Sequence, residues 1–215
     1  MKRFATDIGM LLAAAATYGF ACGFAHSNLY ALRDVVKMPL LFIGTGAICL
    51  VAWWVSAAFL GAALQPREMV RLVFDLFRDT SILLVGIAPV TFYLALETRA
   101  DPNPHLREYF LFVILNVLFV SVMASLAVWV RGREILARFG RVRCHCVIAV
   151  WLLLGSVVGG QLAFHMRPFF GVARSRGGHP PFFIGAEPDC HGSTNFYDAM
   201  LGLIAALVSD RPFFE

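Results

Sequence analysis

The chain has 215 residues, 59% of them hydrophobic and 15% charged, with a mean hydropathy of +0.72. Soluble domains carry about 45–50% apolar and about 25% charged residues, so this composition excludes an ordinary water-soluble globule and points to helices packed in a membrane. The net charge of +4 comes from 16 Arg and 2 Lys set in the connections between apolar runs, not clustered on a soluble surface as a nucleic-acid groove requires.

A spanning helix needs about 20 mostly apolar residues. Five runs qualify, at about 8–27, 39–64, 80–97, 108–130 and 146–165. The first follows Lys2 and Arg3 and could pass for a signal peptide. Its cleavage pattern is poor, so it is read as a retained span. The charged residues Asp7, Glu97, Glu108 and His165 fall at the ends of runs, where headgroups are in reach, and no run has an ionisable residue near its middle. The second run is long enough to tilt, and Trp53 and Trp54 within it are expected to pack against protein. The third contains Pro89, which removes a backbone donor and predicts a kink. In the fifth, Gly155 and Gly159, and likewise Ser156 and Gly160, are four apart, a spacing that lets helices approach closely.

Between the second and third runs, PREMVRLVFDLFRD opens with a proline suited to a first helical turn. Glu68, Arg71, Asp75 and Arg78 share one face, with Met69, Val70, Val73, Phe74 and Phe77 around the rest. This predicts an amphipathic helix on the inner membrane surface. Before the fifth run, RGREILARFGRVR carries five arginines and one glutamate, and anionic lipid headgroups are its expected partners. Short-loop basic residues then number ten inside against four outside for an N-terminus-in arrangement, which places the C-terminus outside. The expected location is a bacterial inner (cytoplasmic) membrane.

Residues 166–215 read as an outer, aromatic-rich tail. Pro-Phe-Phe occurs at 168–170, 181–183 and 212–214. A helix is expected over about 195–209, capped by Asn195 with Asp198 at its positive end. At about 21 Å it is too short to cross hydrocarbon, so it lies at the surface or docks on the bundle. The stretch GGQLAFHMRPFFG reads first as an exit from the bilayer. As a binding site, it would place Gln161 in the last turns of the span and Arg167 at its mouth, with Phe169 and Phe170 beside it. Lys37 on the same outer face would help bridge an anionic headgroup or carboxylate.

The segments VKMPLLFIGTGAICL and QLAFHMRPFFG resemble signatures of an uncharacterised family of bacterial multi-spanning membrane proteins. Lys37, Pro39, Leu40, Leu41 and Phe42 match its Lys-x-Pro-Leu-Leu-Phe part, and Arg167, Pro168 and Phe169 its Arg-Pro-Phe part. The resemblance implies architecture and no activity.

Chemistry-bearing groups are few. Cys144-His145-Cys146 supplies soft ligands but lacks a fourth for a tetrahedral site. His179, Cys190 and His191 are the outer metal candidates, in a spacing that matches no zinc or haem pattern. Cys190 is the only cysteine expected outside, so a disulfide there would join two subunits. No nucleophile motif or phosphate-binding loop is present, and no cofactor is expected. Polar residues within spans mark ion or substrate paths. They are Thr45, Ser56, Thr91, Asn116, Ser121, Ser125, Ser156 and Gln161, with Asn116 and Gln161 the strongest. A proton-coupled pump wants an intramembrane acid, and the five runs offer none.

The expected fold is therefore all-α: a polytopic bundle of five transmembrane helices, an inner amphipathic helix and an outer C-terminal helix. The first functional reading is a non-catalytic membrane subunit of a homo-oligomer or larger complex. The second is a small channel or transporter, and the third a membrane enzyme or metal-binding protein with outer-face chemistry.

Overall fold

The structure, a computed structural model, describes residues 2–100, 106–166 and 195–209. Six helices follow in order: α1 (Lys2–Gly23), α2 (Asn28–Phe59), α3 (Pro66–Ala100), α4 (Leu106–Leu136), α5 (Arg141–Met166) and α6 (Phe196–Ser209). No strand occurs among the described residues. Four of the helices contain spans long and apolar enough to cross a membrane: Asn28–Phe59, Pro66–Arg99, Phe110–Leu136 and Arg143–Met166. Outward-facing apolar side chains such as Leu32, Val51, Val55, Leu118 and Leu153 are exposed, and Phe59 is 90% exposed. Such surface is costly in water and ordinary in lipid.

Local chemistry sets the helix ends. Ser27 caps α2, its hydroxyl accepting from the Tyr30 amide at 3.4 Å. Gly61, at φ 81°, turns the chain after α2, a backbone region costly for any residue with a Cβ. Pro66 then opens α3, and the Glu68 carboxylate accepts from the Gln65 amide at 3.0 Å, half of a capping box. A 3-10 turn over Ala137–Phe139 and Gly140, at φ 90°, separate α4 from α5. As expected, Asn195 caps α6, its side-chain oxygen accepting from the Asp198 amide at 2.9 Å.

Two boundaries differ from the sequence reading. The second span was expected at 39–64, but α2 starts eleven residues earlier, at Asn28, and carries Pro39 inside it. Hydropathy marks where hydrocarbon begins, not where a helix does, and a buried helix tolerates proline where neighbours satisfy the freed carbonyl. The inner amphipathic helix is not a separate element either. Residues 66–78 run without a break into the third span as one 35-residue helix that also continues through Pro89. At the end of that segment Arg78 reaches Asp7 of α1, whereas Arg71 is exposed.

α1 packs most extensively on α2 and α3, α3 on α4, and α2 on α5; α6 rests on α4 and α5. Gly19 and Gly23 bring α1 against α2. A Cβ at Gly19 would lie 2.2 Å from the Asp34 carbonyl oxygen, and one at Gly23 would lie 2.6 Å from that of Tyr30. Small residues at a spacing of four permit this approach. The glycines of the expected pairs on α5 are likewise used within the chain, Gly155 facing Trp53, Gly159 facing Thr45 and Gly160 facing Phe196 of α6, whereas Ser156 is exposed.

Two apolar clusters fill the bundle. One, built around Tyr18, Met38, Phe42, Leu84 and Val113, lies toward the α1–α2 turn. The other, around Trp53, Leu72, Leu136, Ile148 and Trp151, lies toward the opposite end, and Phe77 packs against both. Trp53 and Trp151 clasp reciprocally: each indole N–H donates to the other's carbonyl, at 3.1 and 3.0 Å. Trp53 thus packs against protein as expected, whereas Trp54 is exposed and its indole donates to the Leu64 carbonyl.

Candidate functional site

Polar side chains from four helices meet inside the bundle near the α1–α2 turn. Asn116 of α4 is their hub and is 0% exposed. Its Oδ1 accepts from the Tyr18 hydroxyl at 2.9 Å and from the Cys22 thiol at 3.4 Å, and its amide donates to the Phe112 carbonyl at 2.8 Å. Thr91 of α3 lies beside Tyr18 without reaching hydrogen-bond geometry, and its buried Oγ1 has no hydrogen-bond partner. From α2 come Asp34, 2% exposed, and Lys37, 4% exposed. They are one helical turn apart and so lie on one face. Asp34 is close enough to Cys22 to act on it electrostatically, while Lys37 and Arg33 act on Asp34. One Asp34 carboxylate oxygen, Oδ1, is buried without a hydrogen-bond partner.

Helix geometry assembles this cluster. The earlier start of α2 carries Asp34 and Lys37 into the bundle. The glycine contact at Gly19 then presses α1 onto the Asp34 turn. A buried carboxylate and an unbonded hydroxyl are each expensive in such surroundings. The Asp34 carboxylate oxygen is thus an acceptor buried in the bundle without a donor. Lys37 places a countercharge one turn away from the carboxylate.

A second feature lies deeper in the bundle. A cavity of about 240 Å³ separates α2 and α3 from parts of α4 and α5. Thr45, Trp53, Phe77, Thr80 and Trp151 line its interior, Ser121, Ser125 and Ser156 its exposed edge, and Phe196 and Tyr197 of α6 close one end. The Thr80 hydroxyl donates to the Leu76 carbonyl of its own helix at 2.8 Å, so that wall presents a methyl group. Partial burial pushes the Tyr197 phenol above its ordinary value.

At the opposite end from the polar cluster, ion pairs join three helices. Arg78 reaches Asp7 at 3.0 Å, Asp75 at 3.1 Å and Asp79 at 2.9 Å. Arg131 bonds Asp79 and, at 3.1 Å, Glu134. Asp7, expected to reach headgroups, is tied to α3 instead.

The residues singled out in the sequence are divided among these places. Thr91 and Asn116 belong to the polar cluster; Thr45, Ser121, Ser125 and Ser156 belong to the cavity. Gln161 is half-buried on α5, away from the cavity lining, and is not brought to Asn116. Lys37, expected at an outer mouth, is inside the bundle. Cys144 is buried, whereas Cys146 is exposed and His145 stacks on Trp129 with centroids 5.5 Å apart. Arg167, Phe169, Phe170, His179, Cys190 and His191 lie outside the described residues, as do all three Pro-Phe-Phe segments.

Asp34, Tyr18 and Cys22 escaped the sequence reading. Asp34 fell in what looked like a loop, and Tyr18 and Cys22 are ordinary residues of an apolar run. The pair Gly19 and Gly23 was the available signal, since it marks the face on which α1 meets a neighbour. No family model, curated protein or solved structure matches this chain.

Proposed function

We propose that the chain is a small membrane carrier of the non-catalytic kind, in which the polar cluster at Asp34 binds and releases a monovalent cation. The observation that carries this reading is the buried carboxylate oxygen of Asp34, left without a hydrogen-bond partner inside the bundle. Ionisable residues within membrane bundles are expensive and are kept for ion or proton handling. Asp34 supplies the intramembrane acid that the apolar runs lack. With the site empty, Lys37 offsets its charge; an arriving proton or metal cation takes over that role and frees the ammonium. Exchange of countercharge between two partners is a two-state event, and such events drive the rocking of helices in carriers.

The membrane arrangement belongs to the same reading. α1 is 22 residues long, or about 33 Å, against roughly 30 Å of hydrocarbon, and it packs along two of the apolar helices. Taken as a fifth span, it sets Lys2 inside and α6 outside a bacterial cytoplasmic membrane. The arginines between α4 and α5 then face anionic headgroups on the inner leaflet. Use of the α5 glycines within the chain leaves the homo-oligomer reading without its strongest sequence support.

Reconstitution into vesicles tests the function. Under an imposed potential the wild-type protein should move H⁺ or Na⁺, read with a pH-sensitive dye and a sodium indicator, and Asn116→Leu should abolish the flux. A wild-type protein that is folded and passes neither ion would end this reading.

A further inference from the structure

The cavity shares no lining residue with the Asp34 cluster, so what fills it is a separate question. α4 and α5 converge at the Arg131 end, where a Cβ on Gly132 would meet Ile148 at 2.9 Å and Trp129 stacks on His145. Toward the other end they part, and α6 wedges between them, its Phe196 ring seated on Gly160. The space between the point of convergence and the α6 wedge is the cavity. Its lip is made of small residues: Ser121, Ala124 and Ser125 on α4, and Gly155, Ser156 and Gly159 on α5.

That lip opens sideways. Ser121, Ser125 and Ser156 are exposed, and so are their apolar neighbours Leu118, Val122, Leu153 and Val157. These residues occupy the middle of the spans Phe110–Leu136 and Arg143–Met166. The medium at the opening is therefore hydrocarbon, in which the abundant solute is the acyl chain itself. The interior is indole, phenyl and methyl surface. An empty space of this kind forfeits dispersion contacts on every wall, and a flexible alkyl chain restores them without carrying a polar group inward. α6, lying across the end, would hold the chain's carrier at the level of Phe196 and Tyr197.

We infer that this lateral cavity binds the acyl chain of a bilayer phospholipid, admitted between α4 and α5 past Ser125 and Ser156 and roofed by α6. The bound chain fills the bundle where α4 and α5 part and couples α6 to the membrane.

Brominated phospholipid tests this directly, because bromine on an acyl chain quenches tryptophan at short range. The variant Trp54→Phe/Trp129→Phe removes the two exposed indoles and keeps Trp53 and Trp151 on the cavity wall. In vesicles of mid-chain dibrominated phosphatidylcholine, this variant should lose most of the emission it shows in the unbrominated lipid. Adding Ser156→Phe, which fills the lip, should restore that emission, and so should Ser125→Phe, tested in case the first packs badly. Circular dichroism in the same vesicles reports folding. Emission unchanged by brominated lipid, or quenching that persists in both folded lip variants, would overturn the proposal. So would quenching by a free brominated fatty acid alone. Ion flux is not the readout, so this result is independent of the carrier reading.

Discussion

The two ends of the bundle use charge in opposite ways. At one end, Asp7, Asp75, Arg78, Asp79, Arg131 and Glu134 are partly exposed and mutually paired. At the other, Asp34 and Lys37 are buried almost completely, and one Asp34 oxygen has no hydrogen-bond partner. The first arrangement is structural: each charge has a counterpart on its own or a neighbouring helix and is partly exposed, so its desolvation cost is small. The second spends stability, since a buried acceptor without a donor costs about 1–3 kcal/mol or more. The fold thus pairs its charges at one end and leaves a buried carboxylate oxygen open at the other.

The contrast can be broken most severely at Gly19. A leucine there would collide with the Asp34 backbone, at 2.2 Å for the Cβ alone, and would force α1 off α2. The expected cost is about 3 kcal/mol, read as a large drop in melting temperature in detergent. A Gly19→Leu protein as stable as wild type would mean that α1 and α2 do not touch there. Next in size is Arg78→Ala, which frees Asp7 and Asp75 and leaves Asp79 to Arg131 alone. It should cost about 2 kcal/mol and, because the site at Asp34 is remote, leave ion selectivity unchanged. Loss of flux without loss of stability in Arg78→Ala would place function at the wrong end of the bundle.

Much of this architecture was legible in the sequence, for physical reasons. Apolar runs announced the bundle because lipid contact demands them, and Asn195 announced α6 because a helix start needs an acceptor. The small residues Gly155 and Gly159 announced a close contact. The polar positions in the runs announced both interior features, although not their division into two. What stayed hidden depended on helix continuity. Pro39 looked like a beginning and Arg78 like the edge of a surface helix. In both places the helix runs on, because packing of a buried face outweighs the local preference of a single residue. That continuity converts Asp34 from a loop residue into an interior acid, and no composition or hydropathy window reports it. Gln161 is half-buried on α5, and the residues expected around it, Arg167, Phe169 and Phe170, lie outside the described residues.

The central claim is that Asp34 is kept for function at the expense of stability. It is tested most directly by measuring unfolding and ion flux on the same preparation of Asp34→Asn/Lys37→Met. The double variant removes both buried charges at nearly constant shape and leaves neither uncompensated, so stability should stay within about 1 kcal/mol of wild type or rise, while flux falls to the level of empty vesicles. A double variant that unfolds easily, or that carries ions as the wild type does, would contradict it.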